Sequence, residues 1–438
     1  MAGGTWIKQD KVRPGAYINV KAKKNTDITV GDRGIATLPL VLSYGPEQKV
    51  LEIRYDDELK SILGFDINDD AALLIREAFK KAETILLYRL NKGTAATVTH
   101  GELAIASKYT GTKGNDITIV IQNNIDDELA FDVTTLFEGN TVEKQVVKTI
   151  EELKENFYVK FSGSGVLTIT AGMPLKDGAD GTVTNKEYTD YLTAIEAFDF
   201  DCMGIVSKDS TLKSTAYNFI TRLRDREGRK IQLVLENYPE ADNEAVISVK
   251  NGVVLKDGTV ISSEKAVAFM TGATAGAAVN KSNTYVEYEG AVDVDKKYND
   301  TEIKAALKNG EIVFTIFKKK VIIEQDINTL KTFADEKTKV FRKNRVIRTL
   351  DGLANDIFDL YMERYVMTGA DNDEDGRTLF RKDVIALLRA NQKIHALQNV
   401  LPEDVQVIQG EEIEGVVANV AVQPVDSMEK LYMTILVA

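Results

Sequence analysis

The chain has 438 residues, 44% of them apolar and 28% charged, with a net charge of −12. That is the composition of a globular protein of roughly three domains, and its acidity argues against general nucleic-acid binding, which needs a basic face. The single cysteine, Cys202, excludes an intrachain disulfide framework and fits a reducing compartment, and no apolar run is long enough to span a bilayer.

The opening stretch, MAGGTWIKQDK, lacks the apolar core of a signal peptide. After this loose lead, Pro14-Gly15 marks a turn and Ala16, Tyr17, Ile18, Asn19 and Val20 form a short strand. Strands are expected over 26–33, 34–43 and 50–55, a short helix over 57–63, a clearer helix over 69–84 and a buried strand over 85–90. In the helix, Leu73, Ile75, Ala78 and Phe79 share one face, and Asp69 or Asp70 can cap it. This βαβ-like order implies an α/β layer.

The texture changes after Asn91. Short alternating strands, at 117–122, 129–134, 158–161 and 166–170, predict a small β domain, with 172–185 as a Gly-, Asp- and Thr-rich loop. The α/β pattern returns near Tyr191: strands over 200–206, 230–236 and 245–249, helices over 209–227, 262–278 and 301–307, and a hairpin of 311–317 with 321–324 around Lys318-Lys319-Lys320. A long helix over 339–367 and another over 378–399 follow. Two alternating apolar runs, 416–422 and 431–437, flank a polar connection holding Pro424 and Asp426 and read as a hairpin.

The organisation expected is an α+β multidomain chain: an N-terminal arm (1–22), an α/β core in two parts (23–95 and 191–330), an inserted β-rich outer domain (96–190), and a C-terminal helical and β domain (331–438). A strand-forming arm at each end serves either to tie the chain shut or to lend strands to neighbours, because an unpaired strand recruits other chains. The arm strands are Ala16, Tyr17, Ile18, Asn19 and Val20 at one end and Leu431, Tyr432, Met433, Thr434, Ile435, Leu436 and Val437 at the other.

Several constellations invite chemistry. The histidines, His100 and His395, lie far apart and offer little for a triad or a zinc site, and no phosphate-binding loop of the form GxxxxGK[ST] is present. Asp371-Asn372-Asp373-Glu374-Asp375-Gly376 matches the opening of a calcium loop. Lys382 stands where a bidentate Glu is needed and Arg377 at the seventh position, so a polar turn between helices is the better reading. Gly272 and Gly276, inside a helix, are expected to permit close packing, and Cys202 to be inert in a buried strand. No metal and no cofactor are expected.

Lys337, Lys339, Arg342, Lys343, Arg345 and Arg348 form a basic run without an acid among them, and Asp351, Asp356, Asp359 and Glu363 follow. Along one helix this order opposes the macrodipole, at ~0.3–1 kcal/mol for each charge in a terminal turn. It suggests either a partner surface or a solvated face with pairs inside the subunit.

Four segments together carry a family likeness: MAGGTWIKQDKVRPGAYINV at the start, YTGTKGNDITIVI at 109–121, GEIVFTIFKKKVIIEQDINTL at 310–330 and FRKNRVIRTLDGLANDI at 341–357. As a set, spanning essentially the whole chain in order, they resemble the tail sheath proteins of contractile phage tails, particularly those of Gram-positive myophages, defective prophages and tail-derived bacteriocins. The resemblance implies a non-enzymatic subunit that stacks in rings around an inner tail tube, joins baseplate and terminator proteins, exchanges arms with its neighbours and contracts. It places the C-terminal domain against the tube and the inserted domain outward, in a virion tail or phage-tail-like particle assembled in the bacterial host cytoplasm. Lys339, Arg342, Lys343, Arg345 and Arg348 are then the candidate tube contacts. An enzyme on the α/β core, another self-assembling tube or shell protein, and a calcium-dependent module around 371–375 remain the alternatives.

Overall fold

Strands buried on both faces read as continuous apolar runs, and those at Ile35–Leu40, Thr84–Arg89, Gln232–Glu236 and Val246–Val249 do so here. The computed structural model describes residues 30–437, plus a short parallel pairing of Gly3–Gly4 with Ala16–Tyr17. Of the expected N-terminal strand, Ile18, Asn19 and Val20 lie outside the described residues.

The apolar runs form one seven-stranded sheet, in the order Glu311–Ile312, Val246–Val249, Gln232–Glu236, Cys202–Gly204, Ile35–Leu40, Thr84–Arg89, Val50–Arg54. Neighbours are parallel except the last pair, which is antiparallel. Strands from 35–89 and from 202–312 therefore share a single sheet, although some hundred residues separate them in sequence.

Alternate side chains feed two layers. Ile85 and Leu87 enter one, Leu86 and Tyr88 the other. Helices α1 (Leu59–Leu63) and α2 (Leu73–Phe79) cover the first face, and α3 (Asn185–Ile195) and α4 (Ser210–Asp225) the second. Helix α5 (Ser263–Gly276) joins the first face beside α2 and is buried from Ala266 to Ala275. Asp209 and Ser262 cap α4 and α5, each accepting from a backbone amide of the first turn. Helix α6 (Asp300–Lys308) opens with a capping box of Asn299 and Glu302. The expected helix over 69–84 is shorter than its pattern: a 3-10 turn at Asp70–Ala72 leads into α2, which ends at Phe79.

The inserted segment holds two small sheets. One is ordered Asn140–Val147, Phe131–Phe137, Ile117–Asn123, Thr170–Pro174, and the other Val159–Ser162, Leu103–Ser107, Thr97–His100. Ile105, Ile119, Val133, Phe137 and Val159 pack between them. The strand expected at 166–170 falls instead at Thr170–Pro174, inside the tract expected as a loop. It is an edge strand with a register break between Thr170 and Met173, where Gly172 sits, and an edge tolerates Pro174. Chain entry and exit meet at a neck. Thr94 and Ala179 exchange backbone hydrogen bonds of 2.9 and 3.1 Å, and a Cβ on Gly93 or Gly181 would fall within 2 Å of the opposite backbone carbonyl oxygen, at 1.9 and 1.8 Å.

Phe314–Phe317 and Lys320–Ile323 form the expected hairpin, with Lys318 and Lys319 both left-handed (φ 47° and 68°), as a two-residue turn that follows the strand twist requires. The C-terminal part comprises α7 (Asn344–Tyr361), introduced by a 3-10 turn at Lys339–Arg342 and continued by a π-helical turn at Met362–Val366, then α8 (Glu374–Lys393). The terminal hairpin differs from expectation. Val416–Val420 pairs with Val405–Gln409, not with 431–437. The connection between the paired strands is bounded by Gly410 and Gly415, whose backbones bond at 2.8 Å, so the chain returns at once. Farther on, Gln423–Pro424 is taken up by Leu397–Gln398.

Helix α5 can lie against α2 only because of its glycines. A Cβ on Gly272 would sit 2.1 Å from the carbonyl oxygen of Ala78, and one on Gly276 1.8 Å from that of Lys81. Gly272→Ala should therefore destabilise by ~1–3 kcal/mol through overpacking, read as a lower midpoint in urea unfolding at unchanged slope.

Candidate functional site: a junction helix and two arm roots

The C-terminal part is attached to the sheet domain through α7. Its amphipathic stripe sends Val346, Ile347 and Leu353 inward. Along that stripe lie charged residues whose partners are elsewhere in the chain. Arg348 and Asp326 are both fully buried and meet at 2.6 Å. Asp326 also accepts from the side chain of Asn344 and the backbone amide of Asn283, each at 2.9 Å. Arg224 of α4 forks onto Asp351 at 2.7 and 2.9 Å, with both side chains 8% exposed. Asn355 exchanges two hydrogen bonds with the backbone of Lys230, each 3.1 Å.

The basic run is thus largely turned inward. Arg348, expected at a tube-facing surface, is a buried ion-pair partner, because its turn of α7 faces the sheet domain. Arg342 is half-buried and donates to the carbonyl of Leu307 at the end of α6. Lys343 pairs with Glu429 and lies 3.8 Å from Asp426. Arg345 donates to the hydroxyl of Ser427 at 2.9 Å and to the carbonyl of His395 at 3.2 Å. Lys337 and Lys339 are exposed, and Lys337 pairs with Glu244 at 2.7 Å. The order of charges that opposes the helix dipole is explained within the subunit for most of the run.

The acidic half of α7 faces a cleft of about 590 Å³, lined by Asp32, Arg33, Asp199, Arg229, Asp356 and Asp359 among others. Both carboxylate oxygens of Asp356 accept from the amide of Gly31, at 3.2 and 3.3 Å. Burial pushes the Asp356 carboxyl up to about 6; neighbouring Asp359 adds to this, while Gly31 and Arg33 oppose it. Arg33 itself pairs with Asp201 at 3.2 Å.

At the other end of the chain, Glu429 accepts from Thr284 and Gln325, each at 2.8 Å, as well as from Lys343. Burial opposes its charge, but these donors outweigh burial and hold its carboxyl below the ordinary range. Beyond it the chain is bare. Leu431, Tyr432, Met433, Ile435, Leu436 and Val437 are 69–94% exposed, and 431–437 has no strand partner among the described residues. Nearby, Val416–Val420 presents an open edge, since its two-stranded sheet ends there.

The calcium-like loop is spent on helix capping. Asp373 accepts from Gly376 at 2.7 Å to open α8, and Asn372 donates to the carbonyls of Ile413 and Gly415, each at 2.9 Å. Among the described residues no three His, Cys, Asp or Glu side chains cluster with metal-binding geometry. Cys202 is fully buried, and burial pushes its thiol well above the ordinary value. Sequence reasoning missed the Asp326 node and Glu429; neither stands in a recognisable motif, and only their burial marks them.

Family models cover almost the whole described chain. They are the phage tail sheath protein central domain (residues 181–329), C-terminal domain (336–438) and beta-sandwich domain (91–180), and the N-terminal region of tail sheath protein Gp18 domain III (33–90). The chain is 38% identical to the phage-like element PBSX protein XkdK of Bacillus subtilis, covering 99% of each. It belongs to the phage tail sheath protein family. The crystal structure of the sheath tail protein of Desulfitobacterium hafniense is similar over 96% of this chain and 99% of its own, at 48% identity and a TM-score of 0.87. The anti-feeding prophage sheath in its contracted state shares the fold at 14% identity and a TM-score of 0.59, covering 97% and 99% of the two chains. In this sheath protein, then, the features that stand out are a helix locked to the body and the chain held against it at Gly31 and at Glu429.

Two measurements address the lock and its charges. Arg348→Met leaves Asp326 buried without its cation and should cost ~3–5 kcal/mol in denaturant unfolding. Asp356 binds its proton more tightly folded than unfolded, so its contribution is fully present below about 4, the ordinary carboxylate value, and is lost as pH rises through about 6. Asp356→Asn keeps an acceptor for Gly31 and should raise the melting temperature at about pH 8, with the difference shrinking as pH falls and closing only below about pH 4.

Proposed function

We propose that this sheath protein is the mechanical subunit of a contractile tail, polymerising helically around an inner tube and contracting to drive that tube through a target envelope. The observation that carries the reading is the terminal segment 431–437: apolar, alternating, and exposed on both sides in the single chain. Water is a poor environment for such a strand. Seven extended residues reach roughly 23 Å, enough to cross to a neighbouring subunit and add to an open edge such as that of Val416–Val420.

Each arm strand of about five residues would contribute roughly five cross-chain hydrogen bonds at ~0.5–1.5 kcal/mol net apiece, with alternate side chains buried beside them. Contacts that run head to tail without closing generate a helical filament. The arms keep subunits joined while they rotate and slide between two packings, and the baseplate and tube hold the extended packing metastable. The work is mechanical, without catalysis or a cofactor, in a particle assembled in the host cytoplasm with the baseplate, tube and terminator proteins as partners. Of the basic run, exposed Lys339 is the cation we assign to the tube side. Arg342, Lys343 and Arg345 serve the subunit's own contacts, which a tube contact would have to share.

Electron microscopy of the full-length protein beside versions lacking 1–20 or 431–438 tests this. Striated tubes are expected from the first and small particles from both truncations. Tubes of normal length from both truncations would overturn the strand-exchange reading.

A further inference from the structure

Near both limits of the stretch 30–437 the chain is held on the same helix. Gly31 docks on Asp356, and Glu429 docks on Lys343 at the start of α7. Those two positions lie roughly 20 Å apart along the helix axis at 1.5 Å per residue. Glu429 is the last tail residue to be held, and its partners come from separate segments: Thr284, Gln325 and Lys343. Ser427 is held just before it by Arg345. From 431 onward nothing among the described residues pairs with the chain. The transition from held to free is therefore abrupt and centres on Lys430.

We propose that α7 is a bracket that fixes the separation of the two arm roots, with Glu429 and Asp356 as the positioning residues that set where each arm leaves the body. The bracket is rigid because three contacts lock α7 to the sheet domain: Arg348 to Asp326, Arg224 to Asp351, and Asn355 to the backbone of Lys230. A sheath subunit that changes packing has two places to put the movement, within its body or in its arms and the surfaces between subunits. Rooting both arms on one locked helix assigns it to the latter. The origins of the two tethers then stay at one spacing in every packing, and the pivot at the C-terminal root is Lys430. This inference rests on the reading of the two ends as strand-lending arms.

Spin-label distances test it. Cys202, the single cysteine, is fully buried, so cysteines introduced at exposed Asp32 and Met428 can be labelled selectively. In the dilute full-length subunit, Asp32→Cys with Met428→Cys should give one narrow distance distribution, and tubes of the same protein the same distance. Adding Glu429→Ala or Asp356→Ala should broaden the distribution at least twofold, and exchanging the charges of Lys343 and Glu429 in a double variant should restore much of its width. A broad distribution in the unmodified background, no change on Glu429→Ala, or a different distance in the tubes would overturn the bracket. A narrow distribution that responds to Glu429→Ala in a protein that never polymerises would leave the bracket standing and remove the strand-exchange reading instead.

Discussion

The buried carboxylate of Asp326 is where three segments of the chain meet, and the arrangement of the C-terminal part depends on it. One oxygen takes the Arg348 guanidinium at 2.6 Å and the amide of Asn283 at 2.9 Å, and the other the side chain of Asn344 at 2.9 Å. An ion pair taken out of water gains little net energy over a well-packed apolar pair, because desolvation offsets the attraction. What it supplies is discrimination: a helix shifted by one turn would strand a charge in the interior, so only one seating of α7 is tolerated. The Arg224–Asp351 fork, about one turn beyond Arg348 along the helix, repeats the constraint from α4.

With α7 seated, the described chain divides into a packed body and an exposed C-terminal segment. The sheet is covered on both faces, and the tight α2–α5 contact leaves no space for those two helices to shift against each other. The terminal segment has none of this. Its apolar side chains are in water, a state that persists in a soluble protein only where a partner is available or charge keeps copies apart, and the chain carries −12.

Much of the fold was legible in the sequence where one pattern dominates locally. The apolar runs became sheet strands, and Gly272 and Gly276 permitted the close approach expected of them. The errors came where pairing is decided at a distance. Val416–Val420 has an equally suitable alternating partner at 431–437, and the short Gly-bounded turn back to Val405–Gln409 decides between them. The basic run looked like a surface because charge is read as exposure, yet Arg348 is among the most buried side chains in the molecule. Its partner Asp326 lies in 310–330, a stretch that stood out for its family likeness, and nothing local shows that the two meet. The anchoring of Glu429 was hidden for the same reason: it draws its donors from residues 86 to 145 positions away.

The neck at Thr94 and Ala179 brings together the two ends of the inserted β unit. A segment whose ends touch is a closed loop as far as its host is concerned. Its length sets no distance within the parent sheet, but it is anchored beside the neck: Tyr44 of the host is buried in the unit's core and donates to the carbonyl of Tyr158, Ser43 donates to Asp180, and Arg89 and Glu47 hold Thr110. Loops of the unit remote from the neck and from Tyr44 can therefore change in length without moving any strand of the parent sheet.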